Sequence, residues 1–451
     1  MNLLILLKAL HKTSVYRFLL IVVGLFSTIQ VNSQELYDLS RCIATGLERN
    51  FNLQVIRNRE EISTQNFTLG NAGYLPTLTM SNRYGGTVNT TNQDLREGDD
   101  AVSKGIHNTS GSAALNLGMT IFRGFRVQTS YQKLNELKQM GELNTQMSVE
   151  NLIARIVSEY FYYIQQMTLY KNLAYAVSLS RERVRIDEQR YLLGASSKLQ
   201  LLQSLVYLNA DSSRYARQNE VLKASQIRLN ELMAAPDLGA NIVLLDSTIV
   251  IHENLNYDDL LQAVLESNTS LQIASKNHVV SELDYKIIAS RSYPYLNLSS
   301  GYNYSYNGYE TGSYRNQQVR GMNYGLTLGL DIFDGFNLKR EKSNALIEIE
   351  NRKYQYQEIE QEVKADLLTI YYAYQNNLSL LRLEEQNLAV ARENLEIAME
   401  RYKLGSLSGL ELREVQKSLL DAEERLISVQ YQTKVAEISL LQISGRIMDY
   451  V

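Results

Sequence analysis

The sequence has one cysteine, very few prolines and no tryptophan. Because Cys42 is the only cysteine, an intramolecular disulfide is excluded. The prolines lie between the segments described below rather than inside them, which allows long uninterrupted helices; they are Pro76, Pro236 and Pro294. Tyrosine, by contrast, is abundant, with 31 residues.

Motifs of catalysis, cofactor binding and metal binding are also lacking. Beyond the N-terminal leader only three histidines remain, far apart in the sequence: His107, His252 and His278. No phosphate-binding loop, dinucleotide-binding glycine motif or Gly-x-Ser-x-Gly motif occurs. We therefore expect neither an enzyme nor a metal site, and no cofactor.

Residues 1–33 have the pattern of a signal peptide. Lys8, Lys12 and Arg17 precede the apolar run 18–26, and Ser33 ends a plausible cleavage site. Removal of this segment takes away three positive charges and no negative ones, so the formal charge changes from -4 to -7 (-4 minus 3). The mature chain is then too acidic for a general nucleic-acid binder. We predict an exported protein.

The remaining chain contains an internal sequence repeat. An offset of 211 positions relates several motifs: Ile121 to Phe125 and Ile332 to Phe336, and Arg190 to Ser197 and Arg401 to Ser408. Nearer the N-terminus the offset is 218 and pairs Asn50 with Asn268 and Pro76 with Pro294. The repetition predicts two copies of one structural unit, at 34–234 and 255–451, joined by a linker at 235–254.

Four segments alternate between large apolar and small polar residues, which predicts β-strands. In one of them Leu298, Tyr302 and Tyr304 fall on one face, and Ser299 and Asn303 on the other. Two interpretations are open: a soluble antiparallel sheet with one face on a core, or part of a transmembrane β-barrel. Four strands cannot close a barrel, so a barrel would need several chains. We expect the connections 91–110 and 309–320 to be loops outside the cell.

After each Phe-x-Gly-Phe motif the period becomes helical. Residues 127–193 and 338–404 predict two helices of 67 residues, each about 100 Å long. The return helices (198–233 and 409–444) and the opening helices (36–72 and 255–291) are about half as long. One return helix stacked on one opening helix would therefore match a long helix. We expect the first return helix to be continued by the second opening helix, and the second return helix by the first opening helix.

These features together closely resemble the TolC-type outer-membrane efflux family, over essentially the whole mature chain. The resemblance is carried by the doubled unit, the proline before each first strand, Phe-x-Gly-Phe after each second strand, and the Arg-Tyr-x-Leu-Gly-x-x-Ser helix ends. It implies an α+β membrane protein with two tandem β-hairpin/long-helix repeats. Three copies would share one β-barrel and form a long periplasmic α-helical barrel in the outer membrane of a Gram-negative cell.

The resemblance also implies a function and partners. The chain would be the passive duct of a tripartite efflux or export system, with a periplasmic adaptor protein, an inner-membrane pump and outer-membrane lipid as partners, and no nucleic acid. The alternative is a structural outer-membrane or periplasmic coiled-coil protein that conducts nothing. The long helices alone would fit either function.

By the same resemblance, the functional residues lie at the helix ends. Glu411 and Glu414 correspond to the family's pore-narrowing acids, and i,i+3 spacing places them on one helix face. Tyr402 corresponds to a tyrosine of the family's closing lock. However, Gln200 and Leu407 replace the acid and the arginine of that lock, so we expect closure by neutral hydrogen bonds and packing. The adaptor would dock on small residues of the ends: Gly194, Ser197, Gly405 and Ser408.

Overall fold

The computed structural model describes residues 36–94, 96–99 and 101–450. The predicted signal peptide lies outside the described residues. Within those ranges, no helix combines the length and the apolar character needed to cross a membrane.

Two opening helices, two strands, a long helix and a return helix occur in the same order in both repeats, and the first repeat has in addition a short strand and a four-residue helix. The first repeat consists of β1 (Leu36–Tyr37), α1 (Leu39–Arg49), α2 (Phe51–Asn66), α3 (Leu69–Ala72), β2 (Thr77–Gln93), β3 (Ala101–Arg123), α4 (Arg126–Leu192) and α5 (Lys198–Leu232). The linker contains β4 (Val243–Leu244). The second repeat consists of α6 (Tyr257–Ser267), α7 (Thr269–Ala289), β5 (Tyr295–Gly308), β6 (Asn316–Gly329), α8 (Asn337–Lys403) and α9 (Gly409–Ile443).

The two hairpins form one antiparallel sheet in the order β2-β3-β5-β6. Its register confirms the predicted faces, because Leu115 lies between Met80 and Tyr302, and Tyr302 lies opposite Met322. Side chains of this apolar row are exposed in the single chain; Met80 and Met322 are both more than 70% exposed. The sheet therefore presents a bare apolar surface instead of covering a core.

The predicted difference between the two hairpin loops is wrong. Both connections have seven positions, 94–100 and 309–315, because the strands extend far into the predicted loops. The strands of the first hairpin have 17 and 23 residues, whereas both strands of the second have 14. The change of offset from 218 to 211 thus reflects longer strands rather than a longer loop.

The second strand of each hairpin is followed by the Phe-x-Gly-Phe turn, which leads into the long helix. Phe125 and Phe336 adopt left-handed φ values of 64° and 62°, which are rare for residues with a side chain. In both turns the two phenylalanine rings meet edge to face, with centroids 5.3 Å and 5.2 Å apart. A Cβ on Gly124 would lie 2.2 Å from the carbonyl oxygen of Ser290, so this approach of the two repeats requires glycine.

The two long helices are confirmed. Helices α4 and α8 each have 67 residues and begin one position earlier than predicted. The opening helices, however, are not continuous as predicted, because each is interrupted at an asparagine. The side-chain oxygen of Asn50 caps α2 by accepting from the N–H of Leu53 at 3.2 Å, and Asn268 caps α7 in the same way through Leu271.

These asparagines also show that the predicted stacking of helices is wrong. Asn50 Nδ2 donates to the carbonyl oxygen of Leu232, at the end of the return helix of its own repeat, at 3.1 Å. Asn268 does the same with Ile443 at 2.8 Å. Each return helix therefore meets the opening helix of its own repeat. The asparagine satisfies an end carbonyl that has no partner within its helix.

The main hydrophobic core lies where these helix ends meet the middle of α4. Cys42, Ile43, Ile156 and Leu229 are fully buried there, and burial raises the pKa of the Cys42 thiol to about 12. Two equivalent tyrosines hold the linker against the core. The hydroxyl of Tyr163 donates to Ile242 O at 3.4 Å, and that of Tyr374 donates to His252 O.

Candidate functional site

The ends of the two helical hairpins carry the residues singled out in the sequence. Gly194 and Gly405 end the long helices with left-handed φ values of 72° and 81°. This conformation turns the chain back, so that the N–H of the next residue can donate to a carbonyl oxygen of the last helical turn. Ser406 N donates to Arg401 O in this way at 2.9 Å. Ser197 and Ser408 cap the return helices. All four predicted docking residues therefore have structural roles at the ends.

Large apolar side chains surround these small residues. Leu193 and Leu404, equivalent in the two repeats, are each 83% exposed. The equivalent pair Leu199 and Leu410 is 64% and 72% exposed. Leu193 and Leu404 recur in both Tyr-x-Leu-Gly motifs, and Leu199 and Leu410 each follow a capping serine by two positions, so this recurrence is visible in the sequence. Exposed leucines grouped in this way are typical of surfaces that another protein covers.

The predicted pore acids lie on the first turns of α9. Glu411 closes a capping box with Ser408: its carboxylate accepts from Ser408 N at 2.9 Å, and its own N–H donates to Ser408 Oγ at 3.2 Å. The Ser408 side chain, and then its backbone, lower the pKa of Glu411. Glu414 is exposed one turn further along. Both carboxylates are thus available to solvent in the single chain.

Tyr402 is buried at the end of α8, and its hydroxyl donates to Oδ1 of Asp187 on α4. Arg190 covers the tyrosine ring, with its guanidinium carbon 4.8 Å from the ring centroid. The same arginine donates to the carbonyl oxygen of Tyr402. Burial, and next the bond to Asp187, raise the pKa of Tyr402 to about 12. The hydroxyl therefore remains a donor at any physiological pH.

This contact places charged groups beside Tyr402, whereas the sequence predicts closure by neutral hydrogen bonds and packing; that closure stays a prediction. Gln200, at the position of the family's acid, bonds to Ser196 in its own turn. The charged groups beside Tyr402 belong to α4. Asp187 and Arg190 precede Gly194 in the sequence, whereas Gln200 follows it. Among the described residues, Tyr402 thus meets an acid and an arginine of α4 instead of the residues at positions 200 and 407.

A second charged contact joins the hairpins further from the ends. The guanidinium group of Arg413 on α9 binds both carboxylate oxygens of Asp211 on α5, at 2.7 Å and 2.8 Å. Ser180 on α4 donates to the same carboxylate at 2.5 Å. The ring of Tyr207 lies 5.0 Å from the guanidinium carbons of both Arg183 and Arg413. Three helices are thereby joined through one buried carboxylate.

The polar groups of these contacts occupy positions where the two repeats differ. The second repeat has alanine at each equivalent position: Ala391 for Ser180, Ala398 for Asp187 and Ala422 for Asp211. Those alanines help form an apolar cluster with Leu395 and Leu419. A polar residue in one repeat at a position that is alanine in the other is a signal of these contacts that the sequence contains.

Among the residues that the structure describes, no three His, Cys, Asp or Glu side chains are grouped so that they could hold a metal ion.

Comparison with known proteins places these features in context. Residues 260–446 match the family model of outer membrane efflux proteins. No curated protein sequence matches the chain.

Solved structures with the same fold include CusC, described as forming a transmembrane channel, with a TM-score of 0.74, 17% identity and coverage of 93% of this chain and 94% of that one. The outer membrane protein VceC of Vibrio cholerae has a TM-score of 0.72, 16% identity and coverage of 90% and 96%. The outer membrane channel CmeC of Campylobacter jejuni has a TM-score of 0.73, 16% identity and coverage of 90% and 85%.

Proposed function

We propose that this chain is the outer-membrane duct of a tripartite efflux or export system, because residues 260–446 match the family model of outer membrane efflux proteins. The family consists of outer-membrane channels and not of enzymes. In the proposed function the duct is a passive conduit from the periplasm to the exterior, and its periplasmic end is gated.

The observation that carries the proposal is the bare apolar face of a sheet with two open edges. In the described part of the chain, β2 and β6 each pair on one side only. Open strand edges are not tolerated in lipid, and closed bacterial barrels start at eight strands. Three copies would supply twelve strands (three times four). We therefore propose a homotrimer in which β6 of one copy pairs with β2 of the next.

The gate would lie at the opposite end of the molecule. The Tyr402–Asp187 contact holds the end of α8 against α4, so opening of the pore would require these helices to separate. In a trimer, Glu411 and Glu414 of three chains would contribute six carboxylates around one axis. A ring of this kind attracts cations and repels anions.

The same ends would dock the periplasmic adaptor protein, which in turn contacts an inner-membrane pump. The exposed leucines, Leu193, Leu404, Leu199 and Leu410, offer apolar surface. The glycines and serines between them leave room for another hairpin to approach closely. The leucines would thus supply the binding affinity for the adaptor, and the small residues would let its hairpin approach closely.

Two measurements on the purified, detergent-solubilised protein test this function. Mass measurement should give a trimer, and planar lipid bilayers should show discrete conductance steps. A trimer without conductance would favour the structural coiled-coil alternative. A monomer would end the argument that several chains share one barrel.

A further inference from the structure

A cavity of about 750 Å³ lies between the ends of the two hairpins. Three cationic side chains line it, Arg183, Arg190 and Lys403, together with one carboxylate, that of Asp187. The remaining lining consists of uncharged side chains and of the turn that leads into α9. The formal charge of the lining is therefore +2 (three positive, one negative).

Arg183 is the unusual member of this lining. Its side chain is almost completely buried, at 3% exposure. Its Nε lies 3.8 Å from Oδ2 of Asp187, an ion-pair distance that is too long for a hydrogen bond. Within the described part of the chain, neither Nε nor Nη1 has a hydrogen-bond partner. Buried donors without partners are rare and cost free energy, so they point to a missing acceptor.

The first turn of α9 adds to the positive potential. A Cβ built on Gly409 would lie 2.9 Å from Nη2 of Arg183, so the guanidinium group lies directly against the N-terminus of this 35-residue helix. Helix N-termini carry a partial positive charge and bind anions. Glu411 offsets part of this charge, but its carboxylate is engaged by Ser408 N.

We propose that this cavity is an oxyanion-binding site, in which Arg183, Arg190 and the first turn of α9 hold a carboxylate or a phosphate group. The guanidinium groups supply charged donors in a planar arrangement that suits both groups. The anion comes from free solute or from an acidic side chain of a docked protein. The site needs no conduction, so it is independent of the proposed duct function.

Isothermal titration of the purified protein with inorganic phosphate, at constant ionic strength, tests the site. We expect saturable binding of one phosphate per chain. Arg183→Gln should weaken binding roughly tenfold or more, because a charge-assisted bond is removed. Gly409→Ala should also weaken binding, because its methyl group would displace the guanidinium group. The matched control is Arg185→Gln, since Arg185 lies two positions away but is exposed and paired with Glu182.

A second titration, with N-acetylaspartate amide, distinguishes the sources of the anion. Binding of this compound as well as phosphate would assign the site to a carboxylate side chain, whereas binding of phosphate alone would assign it to free phosphate. Circular dichroism melting of each variant checks that the helices are intact. Absence of saturable binding in the folded wild type, or equal binding by Arg183→Gln and wild type, would overturn the proposal.

Discussion

The hydroxyl of Tyr402 donates a hydrogen bond to Asp187 although the two residues are 215 positions apart. The bond joins the end of one long helix to the side of the other. The equivalent tyrosine of the first repeat, Tyr191, is 40% exposed at the end of its own helix. The tyrosine of the second repeat thus forms a contact between helices, whereas that of the first repeat is partly exposed to solvent.

Removal of this hydrogen bond should make the periplasmic end easier to open. Tyr402→Phe keeps the ring under Arg190 but deletes the donor to Asp187, and a hydrogen bond to a charged group contributes about 1.5–3 kcal/mol. We expect a higher mean conductance in planar bilayers. Tyr191→Phe is the matched control and should leave the conductance unchanged. Equal conductance of both variants and wild type would exclude Tyr402 from the gate.

The same contact should be insensitive to pH over the neutral range. The pKa of Tyr402 is raised to about 12, above the value of about 10 for an unperturbed tyrosine. The stabilisation is therefore fully present below pH 10 and is lost only as the pH rises through about 12. The difference in conductance between wild type and Tyr402→Phe should stay constant from pH 6 to about pH 9. A difference that disappears within this range would contradict the assignment.

The stability provided by the ion pair between Asp211 and Arg413 can be tested by replacing both residues with types found at the equivalent positions of the other repeat. Asp211→Ala leaves the guanidinium group without its partner and should cost about 3 kcal/mol, as breakage of buried pairs does. The equivalent residues of the other repeat are Ala422 and Leu202. Thermal unfolding should show that the double variant Asp211→Ala/Arg413→Leu recovers most of the lost stability. A double variant as unstable as the single one would mean that Asp211 acts mainly through Ser180.

Reciprocal substitutions at the ends of the two return helices should have opposite effects on the stability of the protein. Ala234 has a left-handed φ of 49°, whereas the equivalent residue of the second repeat is Gly445, with φ 70°. Ala234→Gly should stabilise the protein by about 1 kcal/mol, because this conformation is strained for residues with a Cβ. Gly445→Ala should destabilise it, since the new Cβ would also lie 3.0 Å from the backbone oxygen of Ser267. Melting temperatures that shift in the same direction would contradict the argument.

The acidic pair should determine ion selectivity. Glutamine at Glu411 can still accept from Ser408 N, so Glu411→Gln/Glu414→Gln removes charge and keeps the capping box. Reversal potentials should show lower cation selectivity and weaker block by multivalent cations, with little change in melting temperature. The hydrogen bonds with Ser408 lower the pKa of Glu411, so its carboxylate should stay ionised in more acidic solution than that of an ordinary glutamate. Unchanged reversal potentials would place both residues on an ordinary solvated face.

A bulky side chain at position 408 tests the proposed docking surface. Ser408→Arg places a long side chain between Leu404 and Leu410, where a partner hairpin would approach. Export in cells should fail while the purified protein stays a trimer. Ser408→Thr keeps the capping hydroxyl and serves as the control. Normal export by the arginine variant would show that docking takes place elsewhere, and loss of the trimer would show that Ser408 has only a structural role.

Much of the architecture follows from local patterns. The period of two in the strands and the helical period depend on residues a few positions apart, so the sequence predicted the strands as such and the bounds of the 67-residue helices to within one residue. Capping serines and end glycines at 194, 197, 405 and 408 were visible for the same reason. Strand lengths were underestimated, because residues 101–110 do not alternate clearly but still pair with β2.

The stacking of helices and the contact between Tyr402 and Asp187 were decided only by tertiary structure. Asn50 and Asn268 recur in both repeats, yet nothing local indicates that each reaches the return helix of its own repeat. Asp187 lies on a long helix amid other charged residues, and only the packing of α9 against both long helices brings Tyr402 to it. A periodic pattern shows which face of a helix is buried. It does not show which distant residue that face meets, because such contacts depend on how whole helices pack.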